Sequence, residues 1–455
     1  MSARLWPWLL GGCAVTAEVR EDDSDTPGSD TVEAQAPRPA LVEPAPAVDL
    51  DPTPEVLEVT LRAAPARLEV GGLAVDGFAY EGQVPGPTLR ARVGDVLVAH
   101  LDNALDAPTT IHWHGAGAPV EMDGVPWQRD PTPPGGGFTY RFPLEQPGTF
   151  WYHPHFDTEG QVDRGLYGLL VVDGPPQVVA DRDVVLVFDA WGEAGRRADE
   201  HGLEGTGLVW TVNGLRDPVL DVARGETLRL RLLNASNTGY LALAADGLSV
   251  IAGDQGVRGP PAHPDTLVLA PGDRAEALLG VTGDLDLLRE PFSLHGGAAW
   301  GAPERLLSFR ASGEGMPAPA PSGVRVPPST DPGRTDVVYT FQGDSRTGGW
   351  RINGEAFPDV TIAEVDLGDR VVVEVRNLSS TRHPFHLHGH AFEVLSVDGV
   401  PPVSSTTEDT LDVGIHQVVR LAFTATRPGD WMVHCHVLPH ADGGMMTVLR
   451  VRSPP

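Results

Sequence analysis

The stretch INGEAFPDVTIAEVDLGDRVVVEVRNLS (residues 352–379) repeats, in altered form, two earlier stretches of the chain. These are VNGLRDPVLDVARGETLRLRLLNAS (212–236) and YEGQVPGPTLRARVGDVLVAHLDNAL (80–105). Each copy runs through an NG-like turn, an apolar strand, a Gly-Asp or Gly-Glu turn, an alternating strand and an Asn. The copies recur about every 130–140 residues, a domain-sized interval rather than a solenoid one. Short apolar runs broken by Gly, Pro, Asn and Asp dominate the rest, and long amphipathic helical patterns are scarce. The expected fold is therefore all-β, as three consecutive β-sandwich domains at 53–175, 178–312 and 335–453. A Pro/Ser/Gly-rich linker is expected over 311–334.

Length and charge bound the function. The 455 residues allow several domains. A formal net charge of -29 argues against a nucleic-acid partner, whose phosphates need a basic surface. Two cysteines, Cys13 and Cys435, are too few for a disulfide framework. Residues 1–13 (MSARLWPWLLGGC) read as an export signal. Leu10-Gly11-Gly12-Cys13 resembles a bacterial lipobox, which implies a lipid anchor at Cys13 and a periplasmic or cell-surface location. Palmitate labelling that survives Cys13→Ser would contradict it. Residues 14–52, with ten acids and many Pro and Ala, read as a disordered tether.

Aligning the copies on their Asn residues exposes the chemistry. Nine residues after Asn103 comes His112, in His112-Trp113-His114; nine after Asn377 comes His386, in His386-Leu387-His388; the middle copy has Leu243 and Ala245 there. Likewise, five residues after Gly148 comes His153, in His153-Pro154-His155, and five after Gly429 comes His434, in His434-Cys435-His436. Strand side chains alternate faces, so each His-x-His turns both rings to one side. Domains one and three thus each give four imidazoles to a shared pseudo-twofold site, and domain two acts as a spacer. Imidazole alone does not choose a metal, but Cys435 faces away from its two neighbours, near His440, Met445 and His383. Two His, a thiolate and a weak Met form the ligand set of a blue-copper site. The remaining histidines, His100, His201, His263, His295, His390 and His416, read as ordinary, with His390 the nearest exception.

At IHWHG (111–115), GTFWYHPH with DRGLYGLLVV (148–172), HPFHLHGHAFEVLS (383–396) and HCHVLPHADGGMM (434–446) the chain resembles a three-domain, laccase-like multicopper oxidase over about residues 55–453. The resemblance implies cupredoxin-like Greek-key domains, four coppers and reduction of O2 to water. His383, Cys435 and His440, with Met445 axial, would hold the type 1 copper; His112 and His386 the type 2 copper; His114, His153, His155, His388, His434 and His436 the type 3 pair. Asp123 matches a family residue that helps deliver protons. Bacterial relatives often carry Glu directly after the last type 1 His; here Ala441 stands there, so Asp442 is expected to substitute or the route to differ. An axial Met weakly ligating Cu(II) implies a lower type 1 potential than Leu or Phe.

The expected partners are O2 and a small-molecule or metal-ion electron donor, acting on a monomer. A phenol or similar aromatic donor is the first reading. Oxidation of cuprous or other metal ions in copper tolerance is the second. It is weakened because Met1, Met122, Met316, Met432, Met445 and Met446 form no cluster outside the copper motif. A structural protein on the same fold is the third, opposed by the complete ligand set.

Overall fold

The computed structural model describes residues 37–175, 178–192, 208–296, 299, 301–317, 327–343 and 349–453; side chains at 257–260 are left aside. Residues 38–455 form one compact unit. Of the preceding unit, residues 1–37, only Pro37 is described, so the export signal and Cys13 lie outside the described residues, as does His201.

The sheets fall into three pairs. In each pair a strand near the start of the repeat runs parallel to the alternating strand that ends in Asn. Val56–Val70 pairs this way with Val96–Asn103, Arg182–Gly192 with Thr227–Asn234, and Val337–Gln342 with Arg370–Asn377. In each second sheet the repeat's apolar strand pairs parallel with a late strand: Leu89–Arg92 with Gly168–Asp173, Val219–Ala223 with Glu304–Ser312, Ala363–Asp366 with Met446–Arg452. Alternation explains the sandwiches: along the first strand Leu57, Val59, Leu61 and Ala63 are buried while Thr60 and Arg62 face solvent. The middle sandwich departs from simple alternation. Leu228, Leu230 and Leu232 fill its core, but Arg231 on the opposite face is also fully buried. A separate cluster joins Trp151 and Tyr167 of the first sandwich, Val185 and Leu233 of the second, and Leu438 of the third.

The repeated Asn has one physical job, performed three times. Asn103 Oδ1 accepts the Leu105 N–H, and its Nδ2 donates to the Ala107 and Thr132 carbonyls. Asn234 accepts from Ser236 N–H and donates to Gly239 and Leu269. Asn377 accepts from Ser379 N–H and donates to Thr381, Val413 and Gly414. A buried amide thus closes an Asx turn and pins the loop that leads to the next strand. In the third sandwich that loop carries Ser379, whose hydroxyl lies 2.7 Å from His383 Nε2.

The tether expected over 14–52 is corrected at its C-terminal end. Residues 38–52 lie along the sandwiches, held through backbone groups. Leu41 N–H donates to Val219 O, Val219 N–H to Pro39 O, and Ala47 N–H to Thr88 O. Glu43 Oε2 accepts the Val185 N–H at 3.0 Å. A Pro/Ala-rich strap needs little apolar side chain because its own carbonyls and amides do the binding, and composition does not report that.

Asn377→Ala removes a donor shared by the Thr381, Val413 and Gly414 carbonyls, of which Thr381 keeps the Ser379 hydroxyl and Gly414 the Gln417 N–H, and should cost about 1–3 kcal/mol. Urea unfolding measures this; a loss below about 0.5 kcal/mol contradicts the pinning role.

Candidate copper centre

The four His-x-His motifs sit at matched registers. In the first sandwich the strand His112–His114 pairs antiparallel with Gly148–His153, placing His112 opposite His153. In the third, His383–Leu387 pairs antiparallel with Gly429–Cys435, placing His386 opposite His434 and Phe385 opposite Cys435. The last ring of three of the motifs, His155, His388 and His436, lies past its strand, whereas His114 ends its own. His155 N–H is held by Thr110 Oγ1 and His436 N–H by the Pro384 carbonyl. All eight rings are buried. They interleave across the sandwich boundary: His112 stacks on His388 with centroids 3.9 Å apart, and His114 on His386 at 3.8 Å. The first ring of each sandwich thus faces the second ring of the other.

Two aspartates orient these rings by the same exchange. The Asp123 carbonyl accepts from His112 Nδ1 at 2.9 Å, and its carboxylate from His388 Nδ1 at 2.7 Å. The Asp409 carbonyl accepts from His386 Nδ1 at 2.9 Å, and its carboxylate from His114 Nε2 at 2.9 Å. Each aspartate holds a ring of its own sandwich by its main chain and a ring of the other by its side chain. His153 Nδ1 donates to Pro154 O, and His434 Nδ1 to Cys435 O. These bonds fix which nitrogen carries the proton and aim the other inward.

The inward nitrogens need a cation. His112 Nε2, His114 Nδ1, His153 Nε2, His386 Nε2 and both nitrogens of His436 are buried without a hydrogen-bond partner. His388 Nε2 and His434 Nε2 lie 3.1 Å apart although each ring's proton is on its far nitrogen, so two lone pairs face each other. Such an arrangement is unfavourable in a dry interior unless a metal ion lies between. Burial, then repulsion from neighbouring rings, holds His114, His153, His155, His386, His388 and His436 far below the usual histidine pKa. Burial also brings His434 down to about 4. These seven rings are thereby held in the neutral form that metal ligation requires. Donor atoms of His112, His114 and His153, of His112, His386 and His388, and of His155, His388 and His434 each fall within 4.8 Å of one another.

A second group lies beside it. Cys435 Sγ is 3.4 Å from His383 Nδ1 and 3.6 Å from His440 Nδ1, and these two nitrogens are 3.2 Å apart. Donors bound at roughly 2.0–2.3 Å to one metal would be spaced about this far apart. The Ser379 hydroxyl accepts the His383 Nε2 proton, because its own proton goes to Asn377 or Thr381, leaving Nδ1 free toward the sulfur. The Trp350 indole stacks on His440, with centroids 3.7 Å apart. Met445 is fully buried in the same apolar cluster as Cys435; its carbonyl accepts the Cys435 N–H at 3.1 Å, and its N–H donates to His440 O. Burial pushes the Cys435 thiol pKa well up, and burial lowers His383 to about 3.

Asp123 stands where expected, buried at the cluster. Asp442 does not. The residues after His440 form a one-turn helix, Leu438–Asp442, which leaves Asp442 exposed, its carboxylate accepting the Glu159 N–H at 2.9 Å in the first sandwich. His390 is a buried core residue between Phe423 and Trp431, its Nε2 accepting the Arg427 N–H. His100, His263 and His295 bond to Glu58, Ser249 and the Ser380 carbonyl, away from the cluster. Asp409 was missed from sequence, as was Thr410, whose hydroxyl lies 3.0 Å from His114 Nε2. The one available signal was Glu408-Asp409 at the mouth of an apolar strand. A narrow crevice of about 30 Å³, room for roughly one water, is lined by both Asp123 and Asp409, with Glu145 and Arg427 beside them.

The neutral rings have no proton to lose, whereas the Cys435 thiol does. Copper uptake by the apo protein at pH 7 should therefore release a proton that Cys435→Ser does not, read from the buffer dependence of the binding heat. Equal release by both proteins contradicts the thiolate site.

Two family models, both described as multicopper oxidase, match residues 66–177 and 329–455. The multicopper oxidase MmcO of Mycobacterium tuberculosis is 30% identical over 444 residues, covering 86% of each chain. The solved multi-copper oxidase of Pseudomonas thermotolerans is 33% identical, with a TM-score of 0.75, covering 88% of this chain and all of that one. A Campylobacter jejuni multicopper oxidase, described as a metallo-oxidase, has a TM-score of 0.80 at 25% identity, covering 92% of this chain and 96% of that one. With two buried donor groups of the kind copper takes, the chain belongs to the multicopper oxidase family.

Proposed function

We propose that this copper oxidoreductase is laccase-like, coupling one-electron oxidation of phenolic or similar aromatic donors to reduction of O2. In this reading His383, Cys435 and His440, with Met445 beside them, would hold the type 1 copper. His112 and His386 would hold the type 2 copper, and the other six histidines of the cluster the type 3 pair. Copper bound there supplies the redox chemistry: four donors each give one electron, and O2 with four protons becomes two waters.

The chain's own residues supply the rest. Cys435 lies between His434 and His436 in sequence, so covalent bonds link the thiolate to two cluster ligands. The hydrogen bond from His434 Nδ1 to the Cys435 carbonyl, 2.9 Å, shortens that path. Protons have to reach a buried site, and Asp123 faces both the crevice and His388.

The observation that carries the aromatic reading is the setting of His440. Its ring packs under the Trp350 indole, an apolar, aromatic neighbour. Among the described residues the methionines offer no soft-ligand surface for Cu(I): Met432 and Met445 are buried, Met122 and Met446 pack against apolar cores, and Met316 is exposed among residues of the linker. One observation favours metal ions instead: the exposed Asp442 follows His440 by two residues, beside the domain-one helix that carries Glu159, a surface suited to cations.

Oxygen uptake by the copper-loaded protein with a phenol, Cu(I) or Mn(II) separates the readings. The phenol should give the highest kcat/KM; a Cu(I) or Mn(II) value above it favours metal oxidation. Asp123→Asn should lower turnover about 10–100-fold while leaving the blue absorption intact, and unchanged turnover contradicts its role.

A further inference from the structure

The middle sandwich gives the cluster no histidine, yet one of its side chains reaches into the ligand shell. We propose that Arg274 is a positioning residue for the copper cluster, gripping Asp409 so that His114 is held by Nε2 and presents Nδ1 to the metal. The proposal rests on the ligand assignment above.

Arg274 opens the strand Arg274–Gly280 of the middle sandwich and is fully buried. Its Nη1 donates to Asp409 Oδ1 at 2.7 Å and its Nη2 to Asp409 Oδ2 at 2.5 Å. Its Nε donates to the Thr149 carbonyl, on the first-sandwich strand that carries His153. Its own N–H donates to Asp254 Oδ1, and Asp254 Oδ2 accepts the Thr410 N–H. One guanidinium therefore touches all three sandwiches. Gln255, also of the middle sandwich, adds a bond to Asp409 Oδ2 at 2.6 Å. The neighbouring backbone is cut to fit. Gly115, directly after His114, has φ +77, and a Cβ there would lie 2.5 Å from both Arg274 Nη2 and Asp409 Oδ2. Gly272, with φ +87, brings the middle sandwich against the His436 ring, where a Cβ would lie 2.8 Å away.

His114 needs this arrangement because it is reversed. His112, His153, His386, His388 and His434 are each bonded through Nδ1, leaving Nε2 inward. His114 is bonded through Nε2, and its Nδ1 is the orphan. The Asp409 carboxylate, with the Thr410 hydroxyl beside it, holds that orientation from the far side of the ring. A planar, two-pronged cation fixes a carboxylate in a way that a point charge does not.

The test uses the full-length, copper-loaded protein and three variants, Arg274→Lys, Arg274→Met and Arg231→Met. Arg231 is an equally buried arginine of the middle sandwich, bound to Asp173, Asp183, Glu276 and Thr149 Oγ1 but to no residue that holds a cluster ring. Copper content, blue absorption and electron paramagnetic resonance are read alongside oxygen uptake. A spin-silent copper pair in the parent tests the ligand assignment by itself. The Arg274 variants should keep the blue absorption, lose the silent pair and turn over about 10–100-fold more slowly. Arg231→Met should keep the silent pair. Full copper, a silent pair and turnover within about two-fold of the parent in Arg274→Lys would overturn the proposal. So would loss of the pair in Arg231→Met, which would mark a general effect of loosening the interface. If Arg274→Met does not accumulate, Arg274→Lys decides.

Discussion

Everything in this molecule converges on lone pairs that face one another in a dry space. Neutral imidazoles carry their protons on the outward nitrogen, so the inward nitrogens, 3.1 Å apart at His388 and His434, repel unless a cation joins them. That outward protonation is imposed by acceptors: the carbonyls of Asp123, Pro154, Asp409 and Cys435, and the carboxylates of Asp123 and Asp409. The site is thus destabilised without metal and completed by it, which couples metal binding to the integrity of the sandwich boundary.

The two-aspartate exchange explains why the first and third sandwiches have to meet face to face. Neither can orient its own second ring: His114 depends on Asp409, and His388 on Asp123. Three stacked sandwiches give the geometry, with the middle one closing the assembly through the cluster of Trp151, Val185 and Leu438 and through Arg274. Domain two is thereby more than the spacer that the missing histidines suggest.

The repeat, the all-β class and the donor residues were legible because they depend on local rules. Turn residues and alternation recur with each sandwich, and a His-x-His keeps its meaning wherever a strand carries it. The second aspartate was not legible, because spacing in sequence failed as a guide. Asp123 follows His112 by eleven residues, whereas Asp409 follows His386 by twenty-three, with the strand Phe392–Val397 looped out between. Arg274 was hidden for a related reason. An arginine in an apolar strand reads as a surface position until a neighbouring sandwich covers it. Asp442 shows how nearness in sequence can mislead about placement: two residues from His440, it is turned by a single helical turn toward Glu159 at the surface. The strap at 38–52 was misjudged because its attachment is through backbone groups.

Anomalous diffraction at the copper absorption edge, from crystals of the copper-loaded protein, tests the central claim most directly. The account predicts one copper among His383, Cys435 and His440 and three among the eight imidazoles shared by the first and third sandwiches, with Asp123 and Asp409 still bonded to the outward nitrogens. Copper at the Cys435 group alone, or a shared group in which the rings have turned away from the two aspartates, would contradict it.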